Sequence, residues 1–153
     1  MGECVFCRII AGELASAVVW RDEHFIAVMD KYPIGRGHTL VMPLPHYGSI
    51  LEMPPEAVGD LFIQVTKVAK AVKEATGAHG LNIGQNNGIA AHQIIPHVHV
   101  HVIPRYENDR PNWGRPSRQL VGAEELARWA EAIRLKIPGD RRTSGREVSG
   151  RQG

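Results

Sequence analysis

The chain has 153 residues, of which 43% are hydrophobic and 22% are charged, and its formal net charge is +2 at pH 7. This length and composition predict one globular domain that buries a proper core. No apolar run approaches the roughly 20 residues of a membrane span, and the N-terminus lacks the regions of a signal peptide. We therefore expect a cytoplasmic protein without a membrane segment. Two cysteines only three residues apart make no disulfide framework.

The positive charge is concentrated at the C-terminus. Residues 136–153 contain five basic and two acidic side chains, a charge of +3, which leaves −1 on residues 1–135 out of the total of +2. The body of the chain therefore shows no broad basic face, and duplex nucleic acid is not an expected partner. Gly, Ser and Arg dominate the end of the chain, which predicts a domain over residues 1–137 and a disordered basic tail over 138–153.

The first third of the chain predicts a short N-terminal motif followed by three strands. Cys4 and Cys7 form a Cys-x-x-Cys pair, which is typical of a metal or redox knuckle. Residues 18–20 and 25–29 predict a hairpin whose second strand ends at Asp30, where a turn former is common. A further strand is predicted over His38–Met42, and it is stopped by two prolines.

The middle and the end of the chain predict two amphipathic helices. Pro54-Pro55 opens a long helix and Gly77 closes it, with apolar residues at helical spacing between them. A second helix is predicted from about Ala123 to Ile137. Between the helices lie a predicted strand, Leu81–Gly84, and a tight turn of the Asn-Gly kind, Gln85–Gly88. Amides of that turn suit phosphate oxygens, and simple turn chemistry explains each Asn equally well.

Three histidines alternate with valines in residues 97–103, His-Val-His-Val-His-Val-Ile. The alternation predicts a strand on which His97, His99 and His101 share one face, in a row about 13 Å long. A row of imidazoles beside a core needs hydrogen-bond partners and titrates near neutral pH. The residues alone leave three interpretations open: a solvated face with metal affinity, a metal site, and nucleophilic catalysis by one imidazole.

The run from Asn86 to Arg105 closely resembles the histidine triad (HIT) family of nucleotide-binding hydrolases and transferases, whose signature is His-φ-His-φ-His-φ-φ. The resemblance extends to Cys4–Glu13 and Gly37–Pro43, and it covers about residues 4–137 in one order. It implies an α+β fold with an antiparallel sheet of about five strands, one long helix and one C-terminal helix. It also implies a homodimer whose sheets join and a purine nucleotide as substrate.

The resemblance implies a role for individual residues. His99 matches the histidine that attacks the α-phosphate of a nucleoside phosphoramidate or dinucleoside polyphosphate, forming a nucleotidyl-histidine intermediate that water cleaves. His101 would contact the phosphate oxygens, and as a third histidine it favours the hydrolase branches over the transferase branch. Asp30 would hold the ribose hydroxyls. The other implied nucleotide-binding residues are the donors Asn86 and Gln93 and the base-pocket walls Phe25, Ile26 and Val28.

The resemblance also implies a structural zinc ion held by Cys4, Cys7, His46 and His97. Two cysteines and two histidines complete a tetrahedral site, so the metal and a nucleophilic His99 can coexist. Two further interpretations remain: a nucleotide-sensing homodimer without turnover, and a catalytic metal bound by all three histidines.

Two positions depart from the pattern of the family. His92 stands where a glycine usually lets the backbone approach phosphate, and Ile94 stands where phosphoramidase-like members carry a serine.

Overall fold

The computed structural model of the chain describes residues 4–109 and 118–139. The predicted tail therefore lies outside the described residues from residue 140 onward. The helices and strands, in chain order, are α1 (Val5–Ile10), β1 (Val18–Arg21), β2 (Phe25–Met29), β3 (Thr39–Pro43), α2 (Pro55–Thr76), β4 (Gly80–Gly84), β5 (Val100–Arg105) and α3 (Ala123–Arg134). Single turns of 3-10 helix cover Ile50–Glu52 and Ile89–Ala91.

The five strands form one sheet in the order β1-β2-β3-β5-β4, and neighbouring strands are antiparallel throughout. The last strand of the sequence therefore lies inside the sheet, between β3 and β4. His101 on β5 is opposite Leu40 on one side and Gly84 on the other. The expected α+β architecture, with a five-stranded antiparallel sheet, a long helix and a C-terminal helix, is confirmed.

Side-chain alternation along the strands separates two apolar layers. Val98, Val100 and Val102 are fully buried in the main core, on the face that α2 and α3 cover. Ile26 and Val28 belong to a second cluster, which includes Phe6 and Cys4 from the N-terminal segment, so α1 packs on the opposite face. His97, His99 and His101, in β5 and the extended segment before it, point to this second face because the valines between them point to the first.

The structure moves several predicted boundaries. The Cys-x-x-Cys segment, for which the sequence predicts only a knuckle, forms helix α1. Strand β5 begins at Val100 because the preceding N–H groups bond to loops: His97 N–H donates to Ile95 O and Val98 N–H donates to Tyr47 O, at 2.8 Å each. Helix α3 ends at Arg134, three residues before the predicted end at Ile137.

Arg134 of helix α3 forms hydrogen bonds to the backbone of β1, the outer strand of the sheet. Its guanidinium donates to the carbonyl oxygens of Val18 and Val19, at 2.7 and 3.1 Å.

No helix among the described residues is long and apolar enough to cross a membrane.

We expect Ile133→Ala to lower the free energy of unfolding by about 2–5 kcal/mol, because the side chain is fully buried between α3 and the sheet and its removal leaves a cavity. Urea denaturation measures the change. Leu135→Ala is the matched control, since Leu135 is 56% exposed two residues further along. Equal losses in the two variants would contradict this packing of α3.

Candidate active site and metal centre

Two cysteines and two histidines converge at the N-terminus of α1. The ligand atoms of Cys4, Cys7, His46 and His97 all lie within 4.8 Å of one another. Cys4 caps the helix and its Sγ accepts a hydrogen bond from the N–H of Cys7, 3.3 Å away, so one helical turn presents both thiols to the same side. His46 Nδ1 lies 3.3 Å from Cys7 Sγ, and His97 Nδ1 lies 3.5 and 3.6 Å from the two sulfurs.

Hydrogen bonding fixes which nitrogen of His97 faces the thiols. His97 Nε2 is 2.9 Å from the carbonyl oxygen of Pro43, and a carbonyl only accepts, so Nε2 carries the proton. Nδ1 then presents its lone pair to Cys4 and Cys7. Burial lowers the pKa of His97, which favours the neutral imidazole that a metal requires. This donor set fits a tetrahedral zinc ion, with Pro43 orienting one ligand.

His99 is oriented by the backbone of His97. His99 Nδ1 lies 2.7 Å from the carbonyl oxygen of His97, so Nδ1 donates its proton and Nε2 keeps a lone pair. The Phe6 ring and the imidazole pack edge to face, with ring centroids 5.0 Å apart. Burial lowers the pKa of His99, and the hydrogen bond to the His97 carbonyl, followed by the charge of Asp30, opposes this shift. The neutral imidazole, which is the nucleophilic form, is therefore favoured.

His101 belongs to a chain of hydrogen bonds that begins in the loop before β3. The N–H of Ile34 donates to His38 Nδ1 at 3.0 Å, so the proton of neutral His38 is on Nε2. Nε2 lies 2.9 Å from His101 Nδ1 and donates to it, which leaves the proton of His101 on its own Nε2. Burial, followed by the charges of His99 and Arg118, lowers the pKa of His101 to about 4. His101 is thus a neutral N–H donor at physiological pH.

Asp30 comes directly after β2 and lies beside this histidine chain. Its Oδ1 accepts a hydrogen bond from the N–H of Tyr32, and its Oδ2 accepts one from Arg118 Nη2, both at 2.8 Å. Oδ2 also lies 3.4 Å from His38 Nε2. Burial raises the pKa of Asp30, and the Tyr32 N–H and the Arg118 charge act in the opposite direction.

The structure uses the amide of Gln93 within the loop that precedes β5. Its Oε1 accepts from the N–H of Gly88 at 2.6 Å, and its Nε2 donates to the carbonyl oxygens of Gly48 and Ile95 at 2.7 and 3.1 Å. Both N–H groups of the side chain are therefore engaged by the backbone, and Gln93 is 7% exposed. In this structure Gln93 holds the loop together and offers no donor to a phosphate group.

Asn86 and His92 meet across the same loop. Asn86 Nδ2 contacts the carbonyl oxygen of His92 at 3.5 Å, a long hydrogen bond that a ligand can replace. His92 has φ 66°, in the left-handed region, and its side chain is exposed. The backbone thus takes a conformation that favours glycine although histidine occupies the position.

The three residues predicted to form the base pocket lie on different faces of the sheet. Ile26 and Val28 point to the histidine face, where each is 1% exposed beneath α1, so they can support a pocket wall but present almost no surface to a base. Phe25 points to the opposite face and belongs to the main core. Its assignment to the pocket needs correction, because alternate residues of a strand face opposite ways.

Three residues at the site were not predicted from the sequence. Phe6 lies between the cysteines and contacts the rings of both His97 and His99, at centroid distances of 5.9 and 5.0 Å. His38 directly precedes β3 and follows a glycine in the sequence, but its partner, His101, is 63 residues away. Arg118 follows a stretch without recognisable periodicity, and the sequence contains no signal that brings it to Asp30.

The triad histidines contribute to different clusters. His97 joins the cysteine cluster, while His101 lies in a second group with Asp30 and His38, whose ligand atoms are also within 4.8 Å of one another. Among residues 4–109 and 118–139, the three triad histidines do not form one group of metal-ligand atoms. The geometry therefore does not support a single catalytic metal bound by all three.

Comparison with known proteins identifies the family. A family model described as the HIT domain matches residues 11–108. An uncharacterised HIT-like protein of Methanocaldococcus jannaschii is 45% identical over 106 residues, 69% of this chain and 81% of that protein. An adenylylsulfatase of Arabidopsis thaliana is 39% identical over 107 residues, 70% of this chain and 54% of that protein. An adenosine 5′-monophosphoramidase of Schizosaccharomyces pombe is 34% identical over 135 residues, which are 88% of this chain and 98% of that protein.

Solved structures agree with this assignment. A HIT-like protein of Bartonella henselae superimposes with a TM-score of 0.81 and 34% identity, covering 90% of this chain and 98% of that one. A zinc-bound histidine triad protein of Mycobacterium smegmatis superimposes with a TM-score of 0.74 and 34% identity, over 89% and 96% of the two chains. The match of the family model, the extent of these relatives and the shared fold lead to one conclusion: this chain belongs to the histidine triad (HIT) family.

Proposed function

We propose that the protein is a nucleotide hydrolase that cleaves at the α-phosphate of nucleoside phosphoramidates or dinucleoside polyphosphates, with His99 as the nucleophile. The hydrogen bond from His99 Nδ1 to the carbonyl oxygen of His97, at 2.7 Å, carries the proposal. It leaves the Nε2 lone pair as the reactive position of a neutral imidazole. The relatives named as an adenylylsulfatase and an adenosine 5′-monophosphoramidase support an adenylyl group as the part transferred.

The proposed reaction has two displacements at phosphorus. In the first, His99 Nε2 forms a bond to the α-phosphorus while the bond to the leaving group breaks, and the leaving group departs with the electron pair. The leaving nitrogen of a phosphoramidate takes up a proton from solvent as it departs. In the second, a water oxygen attacks the same phosphorus, the N–P bond breaks and its electron pair returns to His99. Nucleoside monophosphate is released, and the proton of water goes to solvent. Each step has a lower barrier than a direct hydrolysis.

Neighbouring side chains stabilise the phosphate and hold the nucleoside. The Nε2–H of His101 is a preorganised donor for phosphate oxygens, because His38 fixes the tautomer of His101. Asn86 is a second donor once its 3.5 Å contact with the backbone is exchanged for the ligand. Asp30 accepts hydrogen bonds from the ribose hydroxyls, and Ile26 and Val28 support the wall of the pocket for a purine base from below.

Replacing His99 by Ala should abolish turnover and the covalent intermediate. We expect intact-protein mass spectrometry after brief mixing with an adenosine phosphoramidate or a diadenosine polyphosphate to show a transient adduct of one nucleoside monophosphate on the wild type. The adduct should be absent from His99→Ala, and the steady-state rate should fall by at least about a thousandfold. The control is His24→Ala, which changes an exposed histidine outside the cluster.

The mass-spectrometry experiment also separates the alternatives. Turnover of His99→Ala at the wild-type rate would refute the covalent mechanism. Nucleotide binding by the wild type with neither adduct nor product would favour a nucleotide-sensing protein without turnover.

We also propose that Cys4, Cys7, His46 and His97 bind one structural zinc ion. The donor set, the 4.8 Å limit on the separation of its ligand atoms and the zinc-bound relative of Mycobacterium smegmatis support this assignment. A zinc ion bound here would fix His97, whose carbonyl orients His99. Four protein ligands leave no position open for substrate, so the metal stabilises structure only.

Metal analysis of purified variants tests the zinc proposal. We expect about one zinc ion per chain in the wild type and in His99→Ala, and a large loss of zinc in Cys4→Ser, because a hydroxyl is a poor replacement for a thiolate ligand. Retention of zinc in Cys4→Ser together with its loss in His99→Ala would instead indicate a catalytic metal at the triad.

We further propose a homodimer that forms through the β4 edge of the sheet. β4 has no neighbouring strand on its outer side among the described residues, and Ile83 on this strand is 43% exposed. Helix α2, which packs on β4, exposes Phe62 and Ile63 by 37% and 54%. An unpaired strand beside exposed apolar side chains is suited to pairing with a second copy.

Light scattering after size-exclusion chromatography measures the oligomeric state. We expect a mass of twice 16.9 kDa for the wild type and a shift toward monomer for Ile83→Asp, since a charge on the edge opposes strand pairing. Leu51→Asp, at a position 86% exposed and outside β4 and α2, should remain dimeric. A monomeric wild type at micromolar concentration would overturn this proposal.

A further inference from the structure

Arg118 connects the segment before α3 to the loop that follows β2. Its Nη2 donates to Asp30 Oδ2 at 2.8 Å, and its Nε donates to the carbonyl oxygen of Tyr32 at 2.5 Å. Three residues later, the N–H of Val121 donates to the carbonyl oxygen of Lys31 at 2.9 Å. The segment is thus held at Val121 by a backbone hydrogen bond, and at Arg118 by a guanidinium that donates to two acceptors.

The contacts of Asp30 show why this guanidinium matters. The carboxylate is 12% exposed, so an ionised form needs partners. Oδ1 already accepts from the N–H of Tyr32, and Oδ2 accepts from Arg118. A carboxylate has about four lone-pair positions, so two remain for further donors. Two acceptor positions match the two hydroxyls of a ribose.

We propose that Arg118 is a positioning residue of the sugar subsite, which holds the Asp30 carboxylate in the orientation that accepts both ribose hydroxyls and so makes the site selective for ribonucleotides over 2′-deoxyribonucleotides. The inference rests on the proposed function, in which Asp30 binds ribose. Arg118 acts through Asp30 and takes no part in the chemistry at phosphorus. Its planar guanidinium can hold Asp30 and the Tyr32 carbonyl together, which a lysine ammonium does less well.

The charges around Asp30 predict how pH affects binding. Arg118 is the positive group in contact with the carboxylate, and the Tyr32 N–H donates to it. The other titratable groups that face it are His38, His99 and His101. Burial raises the pKa of Asp30 and Arg118 opposes that shift, so removal of Arg118 raises the pKa further. A protonated carboxyl has fewer acceptor positions. Ribonucleotide binding to the variant should therefore weaken at a higher pH than binding to the wild type as pH falls.

Calorimetric titration of the zinc-loaded, full-length protein with AMP and with 2′-deoxy-AMP tests the inference without requiring turnover. We expect the wild type to bind AMP more tightly than 2′-deoxy-AMP. In Arg118→Ala the Kd for AMP should rise by about tenfold or more, as for loss of a hydrogen bond to a charged group, while the Kd for 2′-deoxy-AMP changes little. Arg118→Lys should recover part of the preference. Arg128→Ala, at an exposed position on α3, is the matched control and should behave as the wild type.

Each other result has a definite meaning. Tighter AMP binding by Arg118→Ala would overturn the inference, because Arg118 would then obstruct the sugar subsite. Equal weakening for both nucleotides, with a lower melting temperature, would also overturn it and leave Arg118 a structural role. If the wild type binds AMP but forms no nucleotidyl adduct in the mass-spectrometry experiment, the proposed reaction is refuted. The preference for AMP over 2′-deoxy-AMP then still tests the role of Arg118. If the wild type binds neither nucleotide, both proposals are refuted.

Discussion

The site depends on His97, a fully buried residue that makes three kinds of contact. Its Nε2 donates to the Pro43 carbonyl, its Nδ1 faces the two thiols, and its own carbonyl accepts from His99 Nδ1. The first contact determines the tautomer of His97, the second directs a lone pair toward the thiols, as the proposed zinc site requires, and the third fixes which nitrogen of His99 keeps a lone pair. A single buried residue thus contributes to both the proposed metal centre and the proposed nucleophile.

Burial controls the protonation of the histidines at this site. It lowers the pKa of His38, His97, His99 and His101, so these rings are neutral near pH 7. Neutral imidazoles can form an ordered chain of donor and acceptor pairs, whereas protonated ones would repel each other over the 2.9 Å between His38 and His101. The opposite effect operates on Asp30, where burial alone favours the protonated form and the Arg118 charge opposes it. Burial therefore sets the protonation states of these groups, and hydrogen bonds determine which nitrogen of each imidazole donates and which accepts.

Most of the fold was predictable because it rests on local periodicity. Alternation identified the strands and the histidine face, and helical spacing identified α2 and α3. The cysteine pair, His46 and His97 came from the family resemblance, and the structure brings all four together. Contacts between distant segments were not predictable: Arg118 reaches Asp30 from 88 residues away. The family resemblance implies Phe25 as a wall of the base pocket, but strand alternation directs this side chain into the main core. The resemblance also implies Gln93 as a donor to phosphate, whereas its contacts with the backbone are visible only in the structure.

The position of Phe6 has an evolutionary consequence. The ring lies on the same helical turn as Cys4 and Cys7, and it contacts both His97 and His99. Substitutions in α1 therefore change the surroundings of the proposed metal ligands and of the proposed nucleophile together, and their effects should not be additive. A descendant that lost its cysteines would have to replace the support of His99 at the same time. Change at one of these two sites is thus constrained by the other, and compensating substitutions should occur in pairs across α1 and the segment that precedes β5.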